Sequence, residues 1–169
     1  MTGKKTAHHD GGCPCGQLRF RLLTDPMFVH ACHCKNCQRE TGTPFAHHAL
    51  IEHTRFAVLQ GEPVFVPVPS STGARHVVAR CPACHAALWN EWGASPPVTR
   101  YVRVGVLDKP ARLPPQAHIF TRSRQPWVNL DSGAPAFRSW YDAAQLWPAE
   151  SLARYDAARA ALQQNRGGP

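Results

Sequence analysis

The sequence predicts an all-β domain of short antiparallel strands closed by a C-terminal helix. Three observations carry this reading. Sixteen prolines and twelve glycines are scattered through 169 residues, which cuts the chain into short extended pieces separated by turns. Strand-like stretches recur at regular spacing with little helical periodicity between them. Seven cysteines fall into three tight groups, so that a metal ion can clip the first strand to the middle of a chain long enough to bury a proper core.

Taken in order, residues 1–12 carry lysines, glycines and a stray His8-His9 pair but no apolar stretch, which reads as a flexible leader and not as a secretory signal. Residues 17–23 place Leu18, Phe20 and Leu22 on one side, the alternation of a half-buried strand. Further strands are expected over 45–51, 56–59, 64–68, 76–79, 88–92, 99–106 and 117–120. Gly61-Glu62-Pro63, the 70–73 stretch, 93–97 and 109–115 supply the turns between them. Only the end reads as a helix. Pro148 suits a first turn, and Leu152, Tyr155 and Leu162 share one face of 151–164, with Gly167-Gly168 as its stop. The expected organisation is a disordered leader over 1–10, a zinc domain over 11–140 and a helical extension over 141–169.

The formal charge is +8 with histidines neutral. Seven thiolates and two zinc ions would bring it to about +5. The nineteen Lys and Arg residues are spread along the chain, a surface that attracts small anions and binds nucleic acid only weakly. With no dense basic block, no aromatic-basic interleaving and no recognition helix, the pattern argues against a nucleic-acid partner. No apolar run is long enough to cross a bilayer. A cytoplasmic location, where thiols stay reduced, is the expectation.

The cysteine groups are Cys13-Pro14-Cys15, Cys32-His33-Cys34-Lys35-Asn36-Cys37 and Cys81-Pro82-Ala83-Cys84. An odd count and spacings too short for unstrained bridges argue against disulfides. Ligation by thiolates alone selects zinc or an iron–sulfur cluster, and nothing here suggests a redox partner, so zinc is expected. Cys32, Cys34 and Cys37 are close enough in sequence to share one ion. The two remaining pairs, Cys13 with Cys15 and Cys81 with Cys84, lie about 65 residues apart and together supply the four ligands of a closed structural site. The three-cysteine ion needs a fourth ligand. Either His30, His33 or His85 closes it, or the position stays open for chemistry, and the open position is expected. His33, between two ligands, should point away from the metal.

These residues resemble the glutathione-dependent formaldehyde-activating enzyme family, which includes centromere protein V. The likeness rests on Cys13-Pro14-Cys15-Gly16, on Cys32-His33-Cys34-x-x-Cys37-Gln38-Arg39 with Gly42-Thr43-Pro44-Phe45, and on Arg80-Cys81-Pro82-x-Cys84. It continues through Val104-Gly105-Val106-Leu107-Asp108, Pro115-x-x-His118-Ile119-Phe120, Pro126-Trp127-Val128 and Pro135-x-Phe137, over about residues 11–140. The resemblance implies a β-tent, two sheets held together by the closed zinc, and the same division of the cysteines. It implies a carbon–sulfur lyase that joins glutathione and formaldehyde, or a related thiol and aldehyde, as S-hydroxymethylglutathione. His85 stands where the family usually has glycine, a position that tends to need positive φ.

Three thiolates leave a metal electron-rich, a poor Lewis acid toward carbonyls but a good holder of a substrate thiolate. Lys35 and Arg39 beside the cluster can receive the carboxylates of glutathione, and Trp127 can line the pocket. Two readings compete: a glutathione or adduct carrier without turnover, and a nucleic-acid-associated zinc protein.

Overall fold

The computed structural model describes residues 7–70, 73–130 and 133–166. Extended structure begins earlier than expected, with β1 (His9–Gly12) pairing antiparallel to β2 (Arg19–Leu22) around the loop that carries Cys13 and Cys15. Arg21 grips both Asp10 oxygens at 2.5 and 2.8 Å across this pair. Gly12 lets the strands close, because a Cβ there would lie 2.3 Å from the Leu18 carbonyl oxygen. The expected leader is therefore part of the sheet from His9 onward, while residues 1–6 lie outside the described residues.

The remaining elements are β3 (Phe28–Cys32), α1 (Lys35–Thr41), β4 (Ala46–Glu52), β5 (Phe56–Gln60), β6 (Val64–Pro67), β7 (His76–Arg80), β8 (Ala87–Trp92), β9 (Thr99–Arg103), β10 (Ala117–Ile119), α2 (Ala143–Leu146) and α3 (Ala149–Arg166). Among the described residues they form two sheets: a three-stranded one ordered β1-β2-β5 and a seven-stranded one ordered β10-β3-β4-β9-β8-β7-β6. Every strand pair is antiparallel except β10 on β3, where Ala117 lies opposite His30 and Ile119 opposite Cys32.

The large sheet has an apolar cluster on each face. Val29, Ala49, Ile51, Ala79, Trp89 and Val102 meet Leu18, Phe20, Leu22 and Phe56 of the small sheet, with Cys13 and Cys81 in the same cluster. On the other face Phe28, Cys32, Leu50, Ala117 and Ile119 pack with Tyr141 and Trp147. Leu152 and Tyr155 of α3 rest on this second cluster, and Arg154 binds both oxygens of buried Glu52 at 2.6 Å.

Several elements differ from the sequence reading. All five residues of β3 are buried, and a central strand covered on both faces shows no apolar–polar alternation to read. Helix α1 was not expected either. It starts on Cys34, whose sulfur accepts the Cys37 N–H, and ends at Gly42 in the left-handed region, φ 68°, with its N–H on the Gln38 carbonyl. The strand expected over 99–106 ends at Arg103 and passes into a tight turn over Val104–Val106. The strand expected over 117–120 stops at Ile119, because Phe120 takes φ 54°, ψ 37°. That conformation costs a bulky residue of order 1 kcal/mol. No helix among the described residues is long and apolar enough to cross a membrane.

Candidate metal centres

The sulfurs of Cys13, Cys15, Cys81 and Cys84 all lie within 4.8 Å of one another, and so do those of Cys32, Cys34 and Cys37. All seven thiols are free. In the first group the Cys13–Cys15 and Cys15–Cys81 sulfurs are 3.3 and 3.7 Å apart. Those separations are far too long for an S–S bond and close to the ~3.8 Å edge of a tetrahedron with 2.3 Å metal–sulfur bonds. The donor set therefore fits zinc. The local chain supports it: Leu18 N–H donates to Cys13 Sγ at 3.2 Å, and His85 N–H closes the 81–84 turn on the Cys81 carbonyl at 3.0 Å. His85 adopts positive φ, 60°, the backbone region that favours glycine.

The electrostatics divide each group, lowering some thiols and raising others: the Gln17 N–H lowers Cys15, but its contacts with Cys13 and Cys84 push it up to about 12. Burial raises the Cys13 thiol, but the Leu18 N–H and the neighbouring sulfurs more than offset this and bring it down to about 6. The Ala86 N–H lowers Cys84. In the trio, hydrogen bonds from Cys32 and Cys37 hold Cys34 down to about 2. The contact with Cys34 pushes Cys32 up to about 12, and the contacts with Cys32 and Cys34 raise Cys37. The trio thus takes its first negative charge on Cys34, the helix-capping sulfur.

No histidine joins the trio among the described residues. His33, fully buried, turns its Nε2 to His118 Nδ1 at 3.1 Å and packs on Phe45. His30 places its Nδ1 3.2 Å from the Tyr141 hydroxyl. His85 belongs to the turn of the four-cysteine group.

The trio borders a cavity of about 920 Å³ whose lining includes Lys35, Arg39, Glu40, Phe120, Arg122 and Trp140. Lys35 and Arg39 also line a neighbouring hollow of about 500 Å³ with Gln125 and Trp127, and Trp127 is 71 % exposed. The three residues expected to contact substrate are therefore brought together. Gln38 ties the rim: its amide donates to the His33 and Ser123 carbonyls at 2.7 and 2.9 Å and accepts from Gln125 at 2.7 Å.

The same cavity holds His30, named from sequence only as a possible fourth ligand, and other residues that sequence reading does not select. His30 and His48 are paired across β3 and β4, and burial pushes His30 down to about 3 and His48 well below its ordinary value. Asn90 meets His76 at 2.9 Å and Glu40 at 3.3 Å, while Arg103 and Arg80 neutralise Glu40. Glu40 is carried there by α1, three residues after Cys37, and sheet register brings the strand residues beside the cysteines.

The model of the glutathione-dependent formaldehyde-activating enzyme family matches residues 8–123. A curated protein of Halomonas elongata, named provisionally as a glutathione-dependent formaldehyde-activating enzyme, is 26% identical over 137 residues, covering 73% of this chain and 81% of its own length. A solved structure of a Rhodobacter sphaeroides protein is 20% identical, spans 76% of this chain and 98% of its own, and superposes with a TM-score of 0.44. That last likeness is too loose to argue from. The family match, by contrast, covers well over half the chain and contains both convergent cysteine groups, and the chain belongs to the glutathione-dependent formaldehyde-activating enzyme family.

Proposed function

We propose that the protein is a zinc-dependent carbon–sulfur lyase that joins glutathione to formaldehyde, or a related small thiol to a small aldehyde, in a reducing compartment such as the cytoplasm. Cys13, Cys15, Cys81 and Cys84 would hold a structural zinc, and Cys32, Cys34 and Cys37 a reactive one, two ions per chain. The carrying observation is the convergence of three sulfurs, with no histidine, at the border of a large cavity with a basic rim. When bound by these three thiolates, zinc supplies a soft fourth position that keeps an incoming thiol deprotonated.

The chain's own residues do the rest. Lys35 and Arg39 face both hollows and are suited to the two carboxylates of glutathione. Trp127 offers a flat exposed surface for the peptide backbone. Gln38 of α1, bonded to the His33 carbonyl and to Ser123 and Gln125, keeps the rim in one geometry. Cys34 accepts the Cys37 N–H, which favours its thiolate and suits the trio to a metal. The test is calorimetric titration of glutathione into zinc-loaded wild type and Cys34→Ser. Binding in the first and none in the second is the expected result. Equal binding would remove the second ion from the reading, and binding without accelerated adduct formation would favour a carrier.

A further inference from the structure

The cavity beside Cys32, Cys34 and Cys37 is far larger than a one-carbon aldehyde needs, at about 920 Å³. Its walls are aromatic. Phe120 and Tyr101 pack into the same cluster as the three cysteines. The Trp140 ring lies 6.1 Å from Phe120 and 5.5 Å from His30. Trp92, stacked on His76 at 3.6 Å, forms another part of the lining. Both tryptophans keep an open surface, 46% and 36% exposed. Phe120 is held at φ 54° by its N–H on the Ser139 carbonyl and by Ser123 N–H on its own carbonyl. The chain thus keeps a bulky ring in the cavity lining where a strand residue would have continued β10.

Charge at the mouth selects the other end of the ligand. Lys35, Arg39 and Arg122 line the cavity, with the Arg122 guanidinium 5.9 Å over the Phe120 ring. The one carboxylate among the lining residues, Glu40, is paired with Arg103 and Arg80. An anionic head therefore meets net positive charge, and a planar apolar group meets aromatic faces.

We infer, on the basis of the proposed lyase reading, that the carbonyl partner carries a ring-sized apolar substituent, so that the cavity takes the hemithioacetal of an acidic thiol and an aromatic or bulky aldehyde. The thiol sulfur bonds to the aldehyde carbon, the C=O π pair moves to oxygen, and that oxygen takes up the proton the thiol gave up. Cleavage is the reverse, and nothing is oxidised or reduced. The substituent lies against Phe120 and Trp140, and the carboxylates lie on Lys35, Arg39 and Arg122.

The test titrates zinc-loaded protein with glutathione, S-methylglutathione and S-benzylglutathione, read by calorimetry and tryptophan fluorescence. The benzyl conjugate should bind about tenfold or more tighter than the methyl one, since burying a ring removes far more apolar surface from water. The ratio should fall toward one in Trp140→Ala. It should fall likewise in Phe120→Gly, where relief of the left-handed backbone offsets part of the packing lost. Equal affinities in wild type, or a ratio that survives both substitutions, would overturn the inference. Glutathione binding without a benzyl preference removes this inference alone, whereas no binding of all three removes the lyase reading with it.

Discussion

The sulfurs of Cys15 and Cys81 stand 3.7 Å apart although 66 residues separate them in the chain. One belongs to the loop joining β1 and β2 of the small sheet, the other follows β7 of the large one. A metal ion at this point would therefore clip the two sheets together.

The two cysteine groups should respond differently to mutation. Cys84→Ser removes a ligand from the group that joins the sheets. A structural zinc contributes ~10–16 kcal/mol, comparable to or above the whole stability of a domain, so this variant should be insoluble or largely unfolded. Cys34→Ser should leave a folded domain with one zinc and no thiol-dependent activity. Circular dichroism, melting and metal analysis check this, and the opposite ranking would reverse the two roles.

Metal analysis of freshly purified protein should approach two zinc ions per chain. The four-cysteine group has two members buried within the inter-sheet cluster, while the trio borders an open cavity. Mild chelation should accordingly release one ion well before the other. Release of both in a single phase, or iron with visible absorbance, would contradict the division.

Arg154→Ala should destabilise the fold through Glu52. That carboxylate is buried, and Arg154 binds both its oxygens, leaving Arg55 at 3.6 Å as the remaining cation. Stripping the main partner from a buried charge costs ~3 kcal/mol. A fall in urea midpoint of that size is expected, with Glu52→Gln in the same background recovering part of it.

Stability should fall as pH drops below neutral, and His48 should contribute. Burial, then the neighbouring His30 and Arg103, hold its pKa well below the ordinary 6.5. The unfolded chain takes up a proton near pH 6.5 that the folded chain refuses. The contribution of neutral His48 is thus complete above that pH and is lost as pH falls below it, at ~1.4 kcal/mol per pH unit. Urea unfolding at pH 7.5, 6 and 5 with excess zinc should show a shallower loss in His48→Gln than in wild type. Parallel losses would exclude this histidine as a source.

Salt should separate the proposed thiol binding from binding of polyanions. Glutathione held through sulfur should lose little affinity between low and physiological salt, and S-methylglutathione, lacking the thiol, should compete poorly. A duplex contacting ~6 phosphates should lose about a thousandfold over the same range and ignore Cys34→Ser. Tight nucleic-acid binding at physiological salt without glutathione binding would favour the nucleic-acid reading over the lyase.

Much of this protein follows from sequence alone because its strongest constraints are local. Cysteines two or three residues apart must share a neighbourhood whatever the fold, and so the membership of the trio and of the two pairs could be read from spacing. Alternation over Leu18, Phe20 and Leu22 marked a strand with one buried face, and periodicity over Leu152 and Tyr155 marked the terminal helix. Tertiary structure alone decided what depends on pairing. β3 is hidden from pattern reading by burial on both faces. The aromatic and histidine walls of the cavity are assembled from β3, β4, β7, β8 and the 120–140 segment, residues up to 110 positions apart. Side chains that meet only through strand register leave no trace in the order of the residues, since a shift of one residue in register would send each of them to the opposite face.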